Sequence, residues 1–183
     1  MPQLRAVDED SLLARFGPGD PDIIEFQVGE LEAQFGDFPA TQMSGGVLLR
    51  RGDRLAGADT ASYDPIQKTL LLSENVRYED SNSAIISNSA EFGYVTGRIR
   101  FEGAEFLLGQ GSGRGTAGTL EINEEGRLVL TNVGYSTCAI GAEDWIIAAD
   151  DINLDLEAGV GVAHDVKLRF KGFPILYTPY LSF

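Results

Sequence analysis

The sequence predicts an all-β fold, built from stacked antiparallel hairpins that curl into a jelly roll or solenoid. Three observations carry this. Apolar residues alternate with polar ones over four to six positions from Ile23 to about Phe170, with turn signals every 8–12 residues. The alternating segments repeat at an offset of 29, which lays Ala58-Asp59-Thr60-Ala61-Ser62-Tyr63 on Ser87-Asn88-Ser89-Ala90-Glu91-Phe92 and Leu70 and Leu72 on Ile99 and Phe101. The chain also holds 22 Gly and 7 Pro among 183 residues, punctuation that suits many short elements better than a few long helices. A hairpin cannot bury its apolar face singly, so stacking follows from the pattern.

Taken in order, residues 1–22 are a polar segment closed by Gly17-Pro18-Gly19-Asp20-Pro21, with a short helix expected at Asp10–Phe16 under a Ser11 cap. Residues 23–170 are the β domain. Its inward positions read as Leu70 and Leu72; Ile99 and Phe101; Phe106 and Leu108; Leu120 and Ile122; Leu128 and Leu130. The pattern continues through Trp145, Ile147 and Ala149; Ile152, Leu154 and Leu156; and Val166, Leu168 and Phe170. Turns are expected at Arg51-Gly52-Asp53, Asp64-Pro65, Asp80-Ser81-Asn82 and Asn123-Glu124-Glu125-Gly126. Residues 171–183 depart from the pattern, being aromatic, apolar and interrupted by Pro174 and Pro179. Proline removes a ladder donor, so this stretch is expected to pair only weakly or at an edge. An end so apolar leads to the expectation that the chain continues past Phe183 or meets a membrane or partner there.

Composition excludes several functions. Fourteen basic against 28 acidic residues give a net charge of −14, and three Lys and eleven Arg spread along the chain build no nucleic-acid-binding patch. One Cys and one His leave no recognisable metal-ligand spacing, no internal disulfide and no nucleophile–base pair. No catalytic residue, metal or cofactor is therefore expected. No apolar run reaches the roughly 18 residues of a membrane helix. Met1-Pro2-Gln3-Leu4-Arg5 is not followed by a signal-peptide core, so the protein is cytoplasmic or its targeting segment lies outside this sequence.

Four local features invite sharper readings. Gly109-Gln110-Gly111-Ser112-Gly113-Arg114-Gly115 looks like a phosphate loop, but a strand-like Thr116–Ile122 follows where a helix is required, so it reads as a plain loop. Asp150-Asp151-Ile152-Asn153-Leu154-Asp155-Leu156-Glu157 lacks the central Gly of a calcium loop and reads as a strand with an acidic outer face. His164, beside Asp165 and without a second ligand or nucleophile, reads as exposed. Arg50, Arg51 and Arg54 form the densest basic cluster and read as a solvated turn, with head-group contact as the alternative.

Four stretches together resemble a known family. These are Gly46-Val47-Leu48-Leu49-Arg50-Arg51-Gly52-Asp53 with Ala58–Asp64; Leu70-Leu71-Leu72 with Asn75-Val76; Arg114-Gly115-Thr116-Ala117 with Tyr135-Ser136-Thr137-Cys138 and Asp144-Trp145; and Leu168–Phe183, containing Phe173-Pro174-Ile175-Leu176-Tyr177-Thr178-Pro179-Tyr180. The first two also occur in sister periplasmic bridge proteins, and the last two are more specific. Over residues 23–183 the chain resembles the N-terminal periplasmic, OstA-like domain of the outer-membrane lipopolysaccharide assembly (LptD) family.

That resemblance implies a twisted antiparallel β jelly roll ending in the start of a β-barrel strand. It also implies lipopolysaccharide transport and outer-membrane assembly without catalysis, at the periplasmic face of the outer membrane. The partners implied are lipopolysaccharide, a periplasmic bridge protein of the same fold, and a C-terminal barrel with its plug lipoprotein. The inward positions Leu70, Leu72, Val76, Phe92, Ile99, Phe101, Phe106, Leu120 and Ile122 become candidates for an acyl-chain groove. The resemblance gives Cys138 an interdomain disulfide with a barrel cysteine; a second, upstream cysteine of the family has no counterpart here. It gives Pro174 and Pro179 the place of a hinge and gate. Net charge fits a groove that takes tails and leaves head groups in solvent, since repulsion is screened within about 8 Å at physiological salt. The alternative is a bridge-type scaffold that docks edge to edge with sister jelly rolls by strand addition.

Overall fold

A computed structural model describes residues 12, 17, 19–20, 23–34, 40–108, 113–125, 127–138, 144–155 and 158–183. Most of the expected helix at Asp10–Phe16 lies outside the described residues, as does Leu156; of the loop expected at Gly109–Gly115, residues 109–112 lie outside them too, whereas Gly113, Arg114 and Gly115 are strand, paired with Leu108, Leu107 and Phe106.

Twelve strands follow one another in the described chain: β1 (Glu25–Gln34), β2 (Ala40–Arg51), β3 (Arg54–Ala58), β4 (Thr60–Asp64), β5 (Thr69–Glu79), β6 (Ser83–Gly93), β7 (Ile99–Leu108), β8 (Gly113–Ile122), β9 (Arg127–Ser136), β10 (Trp145–Asp155), β11 (Val160–Phe170) and β12 (Phe173–Ser182). They form one antiparallel sheet in the order β1-β2-β3-β5-β6-β7-β8-β9-β10-β11-β12. β4 continues the line of β3, so that together the two short strands fill the space between β2 and β5. The all-β jelly roll expected from the sequence is what the chain forms. Its repeated hairpins share strands, making a meander.

The sheet becomes two layers because nearly every strand bends near its middle. Gly45 and Gly46 in β2, Glu74 and Asn75 in β5, Gly103 in β7, Asn132 in β9 and Asp165 in β11 all have positive φ, between 50° and 90°. Register places these residues side by side across the sheet, with Asp59, Asn88, Gly118 and Asp150 filling the strands between. Gly46 N–H donates to Asp59 O (3.2 Å) and Asp59 N–H to Glu74 O (3.0 Å), so the chain of contacts is unbroken there. This line is a crease. Positive φ is costly for most residues and tolerated best by Gly, Asn and Asp, which supply most of it.

At the crease the inward face changes parity. β7 buries Ile99 and Phe101 before Gly103, and Ala104, Phe106 and Leu108 after it. β8 does the same about Gly118, burying Leu120 and Ile122 on one side and Ala117 on the other; β9 buries Leu128 and Leu130 before Asn132 and Val133 after it. Pairing register is the same on both sides of the crease from β6 to β10, so no strand gains a residue over its neighbour there; the bend turns the opposite face of every strand towards the core together. The 29-residue repeat is the spacing of this device: Gly45, Glu74, Gly103 and Asn132 stand 29 apart, as do Asp59 and Asn88.

One apolar core lies between the layers, with Leu55, Leu72, Val76, Phe101 and Leu120 fully buried. Opposite the crease the layers end in two rows of turns. One row holds Arg51–Arg54 and Asp80–Ser83; the other holds Asp64–Thr69, Gly93–Arg98 and Asn123–Arg127. Asp64 and Asp80 cap their turns by accepting backbone N–H groups through Oδ1, from Ile66 (2.8 Å) and Ser83 (2.7 Å) respectively. Leu12 rests against the outer face at Gly57, where a Cβ would stand 3.7 Å from its Cδ1.

Candidate functional site

Towards the β1 end the core does not fill the space between the layers, leaving a cavity of about 540 Å³. That lies within the roughly 300–1,000 Å³ of small-molecule sites. Its walls come from both layers. Val28, Leu49, Leu55 and Tyr78 stand on one side of the crease, and Leu31, Met43, Tyr63, Leu70, Phe92 and Ile99 on the other. Tyr63 and Phe92 are equivalent in the 29-residue repeat and line it together. Nearly all of this surface is hydrocarbon. The charged exceptions are Arg50, Arg51, Arg54 and Arg98, from the turn rows of the two layers.

Tyr78 places the wall's one buried hydroxyl. Its O–H donates to Asp80 Oδ2 at 2.9 Å. Burial, and then the Asp80 charge, push the phenol well above its ordinary value, so it is neutral and points its polar end at the turn. Among the arginines, Arg50 pairs with Glu25, and Arg98 stands 3.7 Å from Glu121.

Of the nine candidate groove residues, Leu70, Phe92 and Ile99 line the cavity. Leu72, Val76, Phe101, Phe106, Leu120 and Ile122 also face inward but are closed in by packing, none more than 4% exposed. Sequence reading did not single out Ile24, Phe26, Val28, Leu31, Met43, Leu55 or Tyr94, because a void is set by what neighbours fail to fill. A signal was available in the pairing of Tyr63 with Phe92, both bulky and both followed by turn residues.

Cys138 follows β9 and is partly exposed; its N–H donates to Ser136 Oγ (3.0 Å), and its carbonyl accepts from Arg114 Nε (2.8 Å). Hydrogen bonding by Ser136, then by the Trp145 backbone, holds its thiol below the usual value. Pro174 and Pro179 lie in β12, which among the described residues is an edge strand paired with β11 alone, with an irregularity in register beside Pro174. β12 leaves Phe173, Ile175, Leu176, Tyr177 and Tyr180 exposed. His164, expected to be exposed, is half-exposed and meets Asp151 Oδ1 at 2.8 Å; its chain neighbour Asp165 accepts instead from the Tyr177 hydroxyl (2.7 Å). Among the described residues no cluster of three or more His, Cys, Asp or Glu is arranged to hold a metal, and no helix is long and apolar enough to cross a membrane.

No family model matches the sequence. The chain is 33% identical over 141 residues to the LPS-assembly protein LptD of Pseudomonas entomophila, covering 77% of this chain and 15% of that protein. It is 31% identical over 147 residues to the LPS-assembly protein LptD of Pseudomonas syringae pv. syringae, covering 80% and 16%. The chain thus spans less than a fifth of the length of these relatives. Among solved structures it resembles LptH, described as the LptA homologous periplasmic component of the conserved lipopolysaccharide transport device from Pseudomonas aeruginosa. That match has a TM-score of 0.50 at 13% identity and covers 69% of this chain and 90% of LptH. At that identity the likeness is one of fold.

Proposed function

Because the chain is homologous to the N-terminal region of the LPS-assembly protein LptD, we propose that it is a non-catalytic carrier for lipopolysaccharide in outer-membrane assembly. The jelly roll takes acyl chains between its layers from a periplasmic bridge protein of like fold and hands them to an outer-membrane barrel with its plug lipoprotein. One observation supports this above the rest: an apolar cavity bounded by both layers and lying beside the open rows of turns. Hydrocarbon burial at about 0.8 kcal/mol per CH₂ supplies ample holding energy without any specific chemical contact. In this reading the protein works at the periplasmic face of the outer membrane. Cys138, partly exposed, would pair with a cysteine of the barrel in that oxidising compartment, and the Pro174–Pro179 stretch would be the hinge leading to it.

The test is photo-crosslinking to lipopolysaccharide, with a photoreactive residue placed in turn at Leu70, Phe92 and Ile99 and at the outward-facing controls Glu91 and Glu102. Adducts at the three cavity positions and none at the controls are expected. A folded domain that crosslinks at neither set is not a carrier.

A second reading has its own support, because among the described residues β1 and β12 each pair on one side only. An edge-to-edge scaffold would use these strands to add a sister jelly roll. Proline at Gln27 or Glu32 in β1 would then abolish association with a bridge-type domain while leaving lipid crosslinking at Phe92 intact.

A further inference from the structure

Fourteen basic residues are available to a chain of net charge −14, and four of them line the one apolar cavity described above. We propose that Arg51, Arg54 and Arg98, with Arg50 behind them, form a phosphate-binding rim at the mouth of that cavity, receiving the phosphorylated sugar of an acylated glycolipid whose tails lie inside. The inference rests on the carrier reading and adds to it a head-group subsite.

The arginines reach the cavity from opposite layers. Arg51 and Arg54 flank the β2–β3 turn, and Arg98 ends the β6–β7 turn in the facing row. Arg51 and Arg54 are also direct partners across the β2–β3 hairpin. Guanidinium groups grip phosphate through paired N–H donors, so several on two lips favour a phosphomonoester over a diffuse negative surface.

The turn that carries two of them is braced. Gly19 N–H donates to Gly52 O (2.6 Å), Gly52 N–H to Asp20 O (3.1 Å), and Ser81 N–H to Asp53 Oδ2 (3.4 Å). These bonds fix the backbone from which Arg51 and Arg54 project. Glu25 on Arg50, Asp53 within the turn and Glu121 near Arg98 temper the positive charge, as a carrier that must release its cargo requires. The wall behind the arginines is hydrocarbon, so a small hydrated anion gains nothing from it, whereas an amphiphile satisfies both parts.

The experiment compares the 183-residue chain with its Arg51→Gln/Arg54→Gln/Arg98→Gln variant. Binding is measured to an acylated bisphosphoryl glucosamine disaccharide and to its dephosphorylated counterpart, both in detergent, and to inorganic phosphate alone. All three side chains are exposed, so the variant should keep its circular dichroism and melting temperature. The expected result is at least a tenfold preference of the wild type for the phosphorylated lipid. That preference should weaken with salt and vanish in the variant, which still binds the dephosphorylated lipid. A wild type that binds both lipids equally, or a preference that survives the substitutions, overturns the subsite while leaving the carrier reading standing. A wild type that binds neither lipid overturns the carrier reading and the subsite with it. Inorganic phosphate bound as tightly as the lipid would mark a free-anion site and overturn the head-group assignment.

Discussion

Tyr78 and Phe101 meet edge to face, ring centroids 5.4 Å apart at 61°, although one stands on β5 beyond the crease and the other on β7 before it. Phe92 adds a second edge contact to Phe101 at 6.4 Å. The three rings join the packed centre of the domain to the wall of the cavity, so the folding of the sheet and the shape of the site rest on the same side chains.

Phe101→Ala is expected to cost about 3–5 kcal/mol, the range for a large aromatic removed from a closed core. Urea unfolding followed by tryptophan emission from Trp145 would measure it. In a double-mutant cycle Tyr78 and Phe101 should couple by about 0.5–1.5 kcal/mol. A loss below 1 kcal/mol would show that the layers are not packed through this ring.

Gly103→Ala should destabilise the domain by about 1–3 kcal/mol, because a Cβ there takes a strained backbone at φ +64° and meets Asn88 Nδ2 at 2.5 Å. Adding Asn88→Ala should recover only the steric part. Gly46→Ala is the comparison: its φ is +90° with nothing within 4 Å, so it carries strain without collision. Equal losses at the two glycines would count against the close packing of Asn88 over Gly103.

The hydroxyl of Tyr78 gives a pH dependence of definite sign. Its folded value is raised above the unfolded value of about 10, so the stability it contributes is complete below that pH and is lost as pH rises through the alkaline range. Denaturation midpoints from pH 8 to 11 should fall with a slope that Tyr78→Phe flattens. An unchanged slope would mean that the phenol is not held neutral by burial.

Cys138 should be alkylated by iodoacetamide with a midpoint below that of a free thiol, and Ser136→Ala should move the midpoint up, since the Ser136 hydrogen bond is the largest cause of the lowering. A midpoint unmoved by Ser136→Ala would show that the serine does not stabilise the thiolate.

Much of the fold was legible because alternation is a local property. Leu70 with Leu72, Ile99 with Phe101, and Leu120 with Ile122 declare their faces within three residues, and all six are buried. The turns at Gly52, Asp64 and Asp80 announce themselves through residues that favour tight backbone geometry. The crease was half visible. The repeat aligned Asp59 with Asn88, but period-two reading carries no memory of phase, so the parity change between Phe101 and Ala104 passed unseen. A mid-strand Gly or Asn recurring at the repeat length was the available clue. Phe170 failed differently: it continues the alternation of Val166 and Leu168 yet is exposed, because the core ends before the last strands do. The cavity was least legible, since the six packed candidates and the three cavity-lining ones have the same residue types and the same alternation.

The line of Gly, Asn and Asp through the middle of the strands is in effect the spine of a book whose covers are the two halves of the sheet. A container bound this way need not be threaded from one end. Parting the covers along the fore-edge breaks no strand pairing among the described residues, because their ladder hydrogen bonds join neighbouring strands within each cover. Only side-chain contacts between the facing pages resist. In the carrier reading proposed above, a long, branched cargo would be laid in sideways with its bulky end outside the binding, while the continuous β1–β12 order keeps the pages in sequence.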